Sequence, residues 1–372
     1  MSTTITMDRA ARAAAALAER ELGALVVTNL VNLRWLTGFT GSNGLAVVGA
    51  GEDGLRLFLT DFRYLTQSAA QLDEGWERRI APEILPAAAE ALVAAAGTAG
   101  DDAPLRAGFD DATMSVKDHA ALATAVGERV ELVGAGGLIE ELRLVKDAGE
   151  LDRIRAAAKL ADAALTEVLG RGLVGRTERD VALDLEYTMR RAGAQAVSFP
   201  PIVAAAQHSA LPHAEPRDVE IPAGTLVTID WGAELDGYTS DCTRTFATGE
   251  LDPRDAEVYH LVLEAQERSL AAVCAGAVAR EVDAVARDII TAAGHGEHFG
   301  HGLGHGVGAE VHEGPRLSQR SDSTLEAGQV VTVEPGVYVP GAVGVRIEDL
   351  AVVTQDGCEV LTSLSKELTV VD

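Results

Sequence analysis

The sequence predicts an α+β protein: an α/β domain over residues 1–143, then a larger domain over residues 144–372 built from a duplicated half-unit. Three observations carry this. Strand-like and helix-like runs alternate through the first 140 residues. A capping-box pair opens a long helix at Asp147. One ten-residue segment recurs 104 positions downstream. At 372 residues the chain has room for two domains, each with its own core. Aromatic residues are only 4% of it, so those cores must be built from Ala, Val, Leu and Ile.

In order along the chain, residues 1–6 are mostly polar, and 10–22 read as an amphipathic helix stopped by Gly23. Arg12, Glu19, Arg20 and Glu21 within it argue against a signal peptide. Residues 24–28, 44–48 and 55–60 are short apolar runs bounded by turn residues and read as strands. Residues 86–96 and 116–125 read as helices, the first opened by a proline whose missing N–H costs nothing there. Asp147 followed by Glu150 then starts a helix with Leu151, Ile154, Ala158, Ala161 and Leu165 on one face.

The repeat follows. Ala223-Gly-Thr-Leu-Val-Thr-Ile-Asp-Trp-Gly232 matches Ala327-Gly-Gln-Val-Val-Thr-Val-Glu-Pro-Gly336 with five identities and three conservative pairs. Upstream, a helix ending at Gly193 lies over one ending at Gly294. Helix and then carboxylate-ending strand thus occur twice, which predicts a pseudo-two-fold domain that brings Asp230 and Glu334 together.

Charge and cysteine content narrow the partners and the compartment. Thirty-one basic against 57 acidic residues leave a net charge of −26, which repels nucleic acid and anionic membranes. No run approaches the ~18 apolar residues of a membrane span. Three scattered cysteines, Cys242, Cys274 and Cys358, fit a reducing cytoplasm better than a disulfide framework.

Strand alternation places Thr228 with Asp230, and Thr332 with Glu334, on one face of their strands. A second carboxylate follows each: Asp241 at the head of a strand over 239–246, and Glu348 inside one over 344–354. Four acids converging from two related hairpins would repel one another in a low-dielectric site, and metal resolves that. Five of the nine histidines fall between His295 and His312, and His305 sits between Gly304 and Gly306. Four carboxylates and one imidazole favour Mn, Co or Zn over Cu, and carry too much charge for one ion. Two divalent ions, a known route to activated water, fit the set. Asp230 alone would read as a strand-end turn residue; five ordered positions do not.

These segments resemble the pita-bread metallopeptidases, specifically the Xaa-Pro peptidases, prolidase and aminopeptidase P. The matching motifs, in family order, are Leu211-Pro-His213, Ile229-Asp-Trp-Gly232, Asp241-Cys-Thr-Arg-Thr245, His301-Gly-Leu-Gly-His-Gly-Val-Gly308, Thr332-Val-Glu-Pro-Gly336 and Arg346-Ile-Glu-Asp349. Phe39-Thr-Gly-Ser-Asn-Gly44 and Thr60-Asp-Phe-Arg-Tyr64 extend the likeness to a creatinase-like first domain. The resemblance implies that Asp230 chelates one ion, that Asp241 and Glu348 bridge two, and that His305 and Glu334 complete the second site. It gives Glu334 a proton-shuttle role, has His213 and His312 orient substrate and stabilise the tetrahedral intermediate, and places Arg346 beside Glu348 or a substrate carboxylate. His301 either lines the pocket or bonds a glycine-rich backbone. Manganese is the first expectation for the metal, short proline-containing peptides for the substrate, and a homodimer for the assembly. Cleavage of Xaa-Pro dipeptides in the cytoplasm is the leading reading; aminopeptidase P activity on longer peptides is the alternative. A non-peptidase hydrolase, such as a creatinase, and a peptide-binding protein are disfavoured because all five ligand positions are present. Cys242 stands where the family more often has an aliphatic residue, and alternation turns it away from the metal face.

Overall fold

The computed structural model describes residues 8–98 and 103–372, so the polar segment 1–6 lies outside the described residues. Two compact units divide between Arg143 and Leu144.

In the first unit, six short runs become β1 (Ala24–Val27), β2 (Leu45–Gly49), β3 (Arg56–Thr60), β4 (Glu77–Ile80), β5 (Leu105–Phe109) and β6 (Val130–Gly134). They form one sheet in the order β4-β3-β2-β1-β5-β6, with β1 antiparallel to β2 and parallel to β5. The run 24–27 is continuously apolar because both its faces are covered. Leu25 and Val27 pack with α1 (Arg9–Glu19), α2 (Leu30–Thr37) and α6 (Leu138–Arg143). Ala24 and Val26 pack with α4 (Ile84–Thr98) and α5 (Val116–Val126). The short α3 (Leu65–Gln71) connects β3 to β4. Helix α1 ends at Glu19 rather than running to Leu22. Glu21 takes φ 55°, and Leu22 N–H turns back to Leu17 carbonyl at 2.9 Å. Leu22 is thereby drawn into the core, which closes the helix before Gly23 is reached.

The second unit opens with α7 (Ala148–Leu169), whose capping box is formed: Asp147 accepts from Glu150 N–H and Glu150 from Asp147 N–H, both at 2.9 Å. Next come α8 (Glu178–Arg191), β7 (Ala196–Val197), β8 (Ile202–Ala205), β9 (Leu226–Trp231), β10 (Ala233–Leu235), β11 (Tyr238–Thr239) and β12 (Cys242–Ala247). A second helix pair, α9 (Pro253–Leu270) and α10 (Ala279–Ala292), precedes β13 (Gly304–Gly306), β14 (Glu313–Leu317), β15 (Val330–Val333), β16 (Gly336–Tyr338), β17 (Gly344–Arg346), β18 (Asp349–Val353) and β19 (Cys358–Val360). Helix pair then antiparallel strands therefore occurs twice. Both α8 and α10 have 14 residues and run into a positive-φ glycine, Gly193 or Gly294. Equivalent bridges precede each helix, Thr177 with Glu220 and Val278 with Thr324. Each half buries its own core. Val227, Ile229 and Trp231 of β9 face α7 and α8, while Val331 and Val333 of β15 face α9 and α10.

The halves meet along a seam of buried threonines on the other strand faces. Thr228 and Thr245 hydroxyls lie 3.0 Å apart, Thr245 donates to Arg346 carbonyl at 2.9 Å, and Glu348 N–H donates to Thr243 carbonyl at 3.0 Å. The strand expected over 344–354 is broken at Ile347–Glu348, opposite Pro335. Proline has no N–H for the ladder, so β15 pairs with β18, β16 pairs with β17, and the carboxylates of Glu334 and Glu348 sit at the break. The strand expected over 239–246 is likewise interrupted, at Ser240–Asp241. Among the described residues no helix is long and apolar enough to cross a membrane.

Behind the seam, Arg244 is fully buried. It donates to Asp349 at 2.8 Å, to Leu364 carbonyl at 2.8 Å and to Glu348 carbonyl. Arg244→Met should cost about 3 kcal/mol, because it removes one of the two cations paired with buried Asp349 and takes the guanidinium donors from the Leu364 and Glu348 carbonyls. Urea denaturation followed by circular dichroism reads this, and an unchanged midpoint would contradict it.

Candidate active site

Alternation along β9 and β15 decides where the acids point. With Ile229 and Val333 committed to the helix-facing cores, Asp230 and Glu334 emerge on the opposite side. Asp241 arrives in the turn before β12, and Glu348 at the break between β17 and β18. Oxygens of Asp230, Asp241 and Glu348 all lie within 4.8 Å of one another. His305 Nε2 is 3.6 Å from Asp241 Oδ2 and 3.3 Å from Glu334 Oε1. All five positions read from the sequence as ligands are thus brought to one place.

The glycines around His305 have a measurable reason. A Cβ on Gly304 would stand 2.0 Å from Thr332 carbonyl oxygen, and one on Gly306 1.8 Å from Gly314 carbonyl oxygen. Only bare backbone lets β13 pass here. His305 Nδ1 donates to Gly306 carbonyl at 3.0 Å, which fixes the ring and directs Nε2 at the acids.

The electrostatics are those of a site built for cations. Burial, and then the charges of Glu348 and Asp230, push Asp241 well above the ordinary carboxylate range. Burial, and then Glu334 and Asp230, do the same to Glu348. Burial would raise Glu334 too, but the hydrogen bond and charge of His305 hold it down at about 2. Asp230 Oδ1 and Glu348 Oε1 are buried without any hydrogen-bond donor. Unpaired buried carboxylate oxygens are costly, and an oxygen-rich set with one imidazole suits hard to borderline divalent ions. The residues present therefore fit the ions expected for them.

Arg346 departs from expectation. Its guanidinium reaches Asp230 at 2.6 Å rather than Glu348, because Thr243 stands between. Thr243 hydroxyl donates to Glu348 at 2.7 Å and accepts from Arg346 Nε at 2.9 Å. Strand alternation that turns Cys242 away turns Thr243 inward, so Thr243 was within reach of sequence reasoning. Cys242 is indeed in the core, with its thiol against Glu348 carbonyl at 3.4 Å. Tyr338 is the residue that sequence reasoning missed. His301 Nδ1 donates to Gly302 carbonyl at 2.8 Å, so Nε2 must accept from Tyr338 hydroxyl at 3.0 Å. Tyr338 in turn accepts from Arg346 at 2.9 Å. His301 therefore lines the site and bonds the backbone as well.

These groups open into a cleft of about 1010 Å³. His213 and His312 line it, and the His312 ring stands edge-to-face on His305 with centroids 4.5 Å apart. Phe199, Pro200, Pro201 and Ile202 supply an apolar wall.

The family model for metallopeptidase family M24 matches residues 152–355, and that for the creatinase/prolidase N-terminal domain matches 9–145. The chain is 41% identical over 346 residues to an uncharacterized peptidase, YqhT, of Bacillus subtilis, covering 93% of this chain and 95% of that protein. It is 43% identical over 231 residues to a Xaa-Pro dipeptidase of Pyrococcus furiosus, covering 62% of this chain and 66% of that one. Among solved structures, the Xaa-Pro dipeptidase from Bacillus anthracis superposes with a TM-score of 0.91 at 39% identity, covering 98% of this chain and 99% of that one. The X-Pro aminopeptidase from Thermotoga maritima superposes at 0.86 and 36% identity, covering 95% and 99%.

The raised acids set a pH dependence. In metal-stripped protein Asp241 and Glu348 keep protons that the unfolded chain has lost, so native stability falls as pH rises from about 4 through their raised folded values. Ions replace those protons, so the rise in Tm on adding a divalent metal should grow from pH 5 to pH 8. Calorimetry of stripped and reloaded protein reads this; an increment independent of pH would contradict it.

Proposed function

We propose that this chain, which belongs to metallopeptidase family M24, hydrolyses the Xaa-Pro bond of short peptides, with dipeptides as its main substrates. The observation that carries the reading is the convergence of Asp230, Asp241, His305, Glu334 and Glu348, with two buried oxygens lacking donors. Family membership implies divalent metal ions. We take two per subunit, manganese first and cobalt or zinc as alternatives, with Asp241 and Glu348 central to both. Such ions lower the pKa of a water and polarise the scissile carbonyl.

The protein's own groups do the rest. Glu334, held ionised beside His305, takes up a proton and passes it toward the leaving proline nitrogen. His213 and His312 flank the cleft as donors where negative charge develops on the carbonyl oxygen. Arg346 fixes Asp230, and through Tyr338 it fixes the tautomer and orientation of His301. Arg316 rims the cleft, and among the described residues no acid pairs with it. That cation suits the terminal carboxylate of a dipeptide, which favours prolidase activity over aminopeptidase P activity on longer peptides. A homodimer in the cytoplasm completes the proposal; three free cysteines suit a reducing compartment.

The test is hydrolysis by metal-reconstituted enzyme of Ala-Pro, Ala-Pro-Ala and Met-Ala. Cleavage of Ala-Pro alone is expected, and strong cleavage of the tripeptide would move the assignment to aminopeptidase P. No cleavage of any of the three, with metal bound, would sink the peptidase reading. Glu334→Gln should lower kcat by about 10²–10⁴-fold, the usual range for loss of a general acid–base group.

A further inference from the structure

Three cleft histidines sit on segments that regular structure cannot hold. His213 lies between Pro212 and Pro216, neither of which has an N–H to give. His301 lies between Gly300 and Gly302, and His312 closes a turn that starts at Gly308. Each segment is tied instead to a buried carboxylate, and none of these three acids lines the cleft.

Glu178, at the start of α8, receives five nitrogen donors. They are Ala205 N–H at 2.9 Å, His208 Nδ1 at 3.0 Å, and Arg217 N–H, Nε and Nη2 at 3.0, 3.0 and 2.9 Å. These donors lie on both sides of His213, so one carboxylate pins both ends of its loop. Burial opposes ionisation of Glu178, yet Arg217 and the N–H donors hold its carboxyl below the ordinary range.

Asp283, on α10 of the other half, is completely buried. It accepts from Leu303 N–H at 3.0 Å and from Arg287 Nε at 2.8 Å. Arg287 passes the restraint on by donating to Phe299 carbonyl at 3.0 Å and His301 carbonyl at 2.9 Å. Glu313 accepts from Glu310 N–H at 3.0 Å and from buried Lys146 at 3.0 Å, across the turn that ends in His312. A Cβ on Gly308 would fall 2.6 Å from its Oε2, so this turn is closed around the carboxylate.

We propose that Glu178, Asp283 and Glu313 are positioning residues, each dedicated to one histidine: His213, His301 and His312 respectively. They act through backbone and cation partners and touch no substrate. A carboxylate suits the task because it accepts several bonds at once with no donor of its own, and an amide in its place can do so only through one oxygen.

The proposal rests on the peptidase reading for its kinetic test but not for its structural one. Glu178→Gln, Asp283→Asn and Glu313→Gln should each lower kcat/KM for Ala-Pro by about 10–100-fold, the scale for partners that orient catalytic groups. Double-mutant cycles give the readout that a merely structural role would not move. Glu178→Gln should add no loss in a His213→Ala background and its full loss in a His312→Ala background, with the matching pattern for the other two pairs. Losses that multiply in every background would overturn the assignment. Should a carboxylate variant fail to fold, Arg217→Gln, Arg287→Gln and Lys146→Gln probe the same three ties from the donor side. NMR of ring-labelled histidine in the metal-loaded enzyme needs no turnover. Glu178→Gln should move the His208 and His213 signals, Asp283→Asn that of His301, and Glu313→Gln those of His312 and its stacked neighbour His305. If wild-type enzyme cleaves no dipeptide but these signals move as stated, the function falls and the positioning stands. If all three variants disturb the same signals, the positioning falls.

Discussion

The second unit answers to one constraint: several carboxylates are gathered at the floor of a cleft where little water reaches them. Asp241 and Glu348 are nearly inaccessible, Asp230 and Glu348 each carry a buried oxygen with no donor, and Glu334 is held ionised against its burial by His305 first and by His301 and Arg346 after it. Left to itself such a cluster favours protons over charge. Divalent ions turn the same repulsion into coordination. The glycines that let β13 approach, the proline that breaks the strands at Glu334, and the inward turn of Thr243 all serve to bring the oxygens within reach of one another.

The duplicated architecture explains how a chain can afford this. Each half has a helix pair packed on its own strands and a separate apolar core, so folding energy comes from regions away from the acids. The polar strand faces are left to meet each other. Threonine hydroxyls and the Arg244–Asp349 pair satisfy the seam, while Asp230 Oδ1 and Glu348 Oε1 at the cleft are left without donors.

Much of this was legible in the sequence because it depends on periodicity and repetition. Alternation placed Asp230 with Thr228 and turned Cys242 away, and the capping box at Asp147 is formed as written. The 104-residue offset foretold two related halves whose strand ends meet. The path was hidden where tertiary contacts override local pattern. Nothing in the sequence from Gly344 to Thr354 announces a break at Glu348, since its cause is Pro335 on the neighbouring strand. The partner of Arg346 was misplaced for the same reason: the resemblance pointed to Glu348 or a substrate carboxylate, but Thr243 from another strand stands between Arg346 and Glu348. Tyr338 carried no signal of its own, being one aromatic residue in a short strand, and its link to His301 exists only after β16 and the glycine-rich loop have been folded together.

The acids and the imidazole are divided between the halves. Asp230 and Asp241 come from the first, His305, Glu334 and Glu348 from the second, and the threonine seam runs between them. Neither half alone presents a full set of donors. Docking the halves raises the effective concentration of one ligand group at the other far above anything reached by free peptides, and that gain disappears if the geometry slips. Ion affinity in this protein is therefore a gauge of seam alignment, and substitutions buried among the threonines, which do not themselves line the cleft, would be felt first as weakened metal retention.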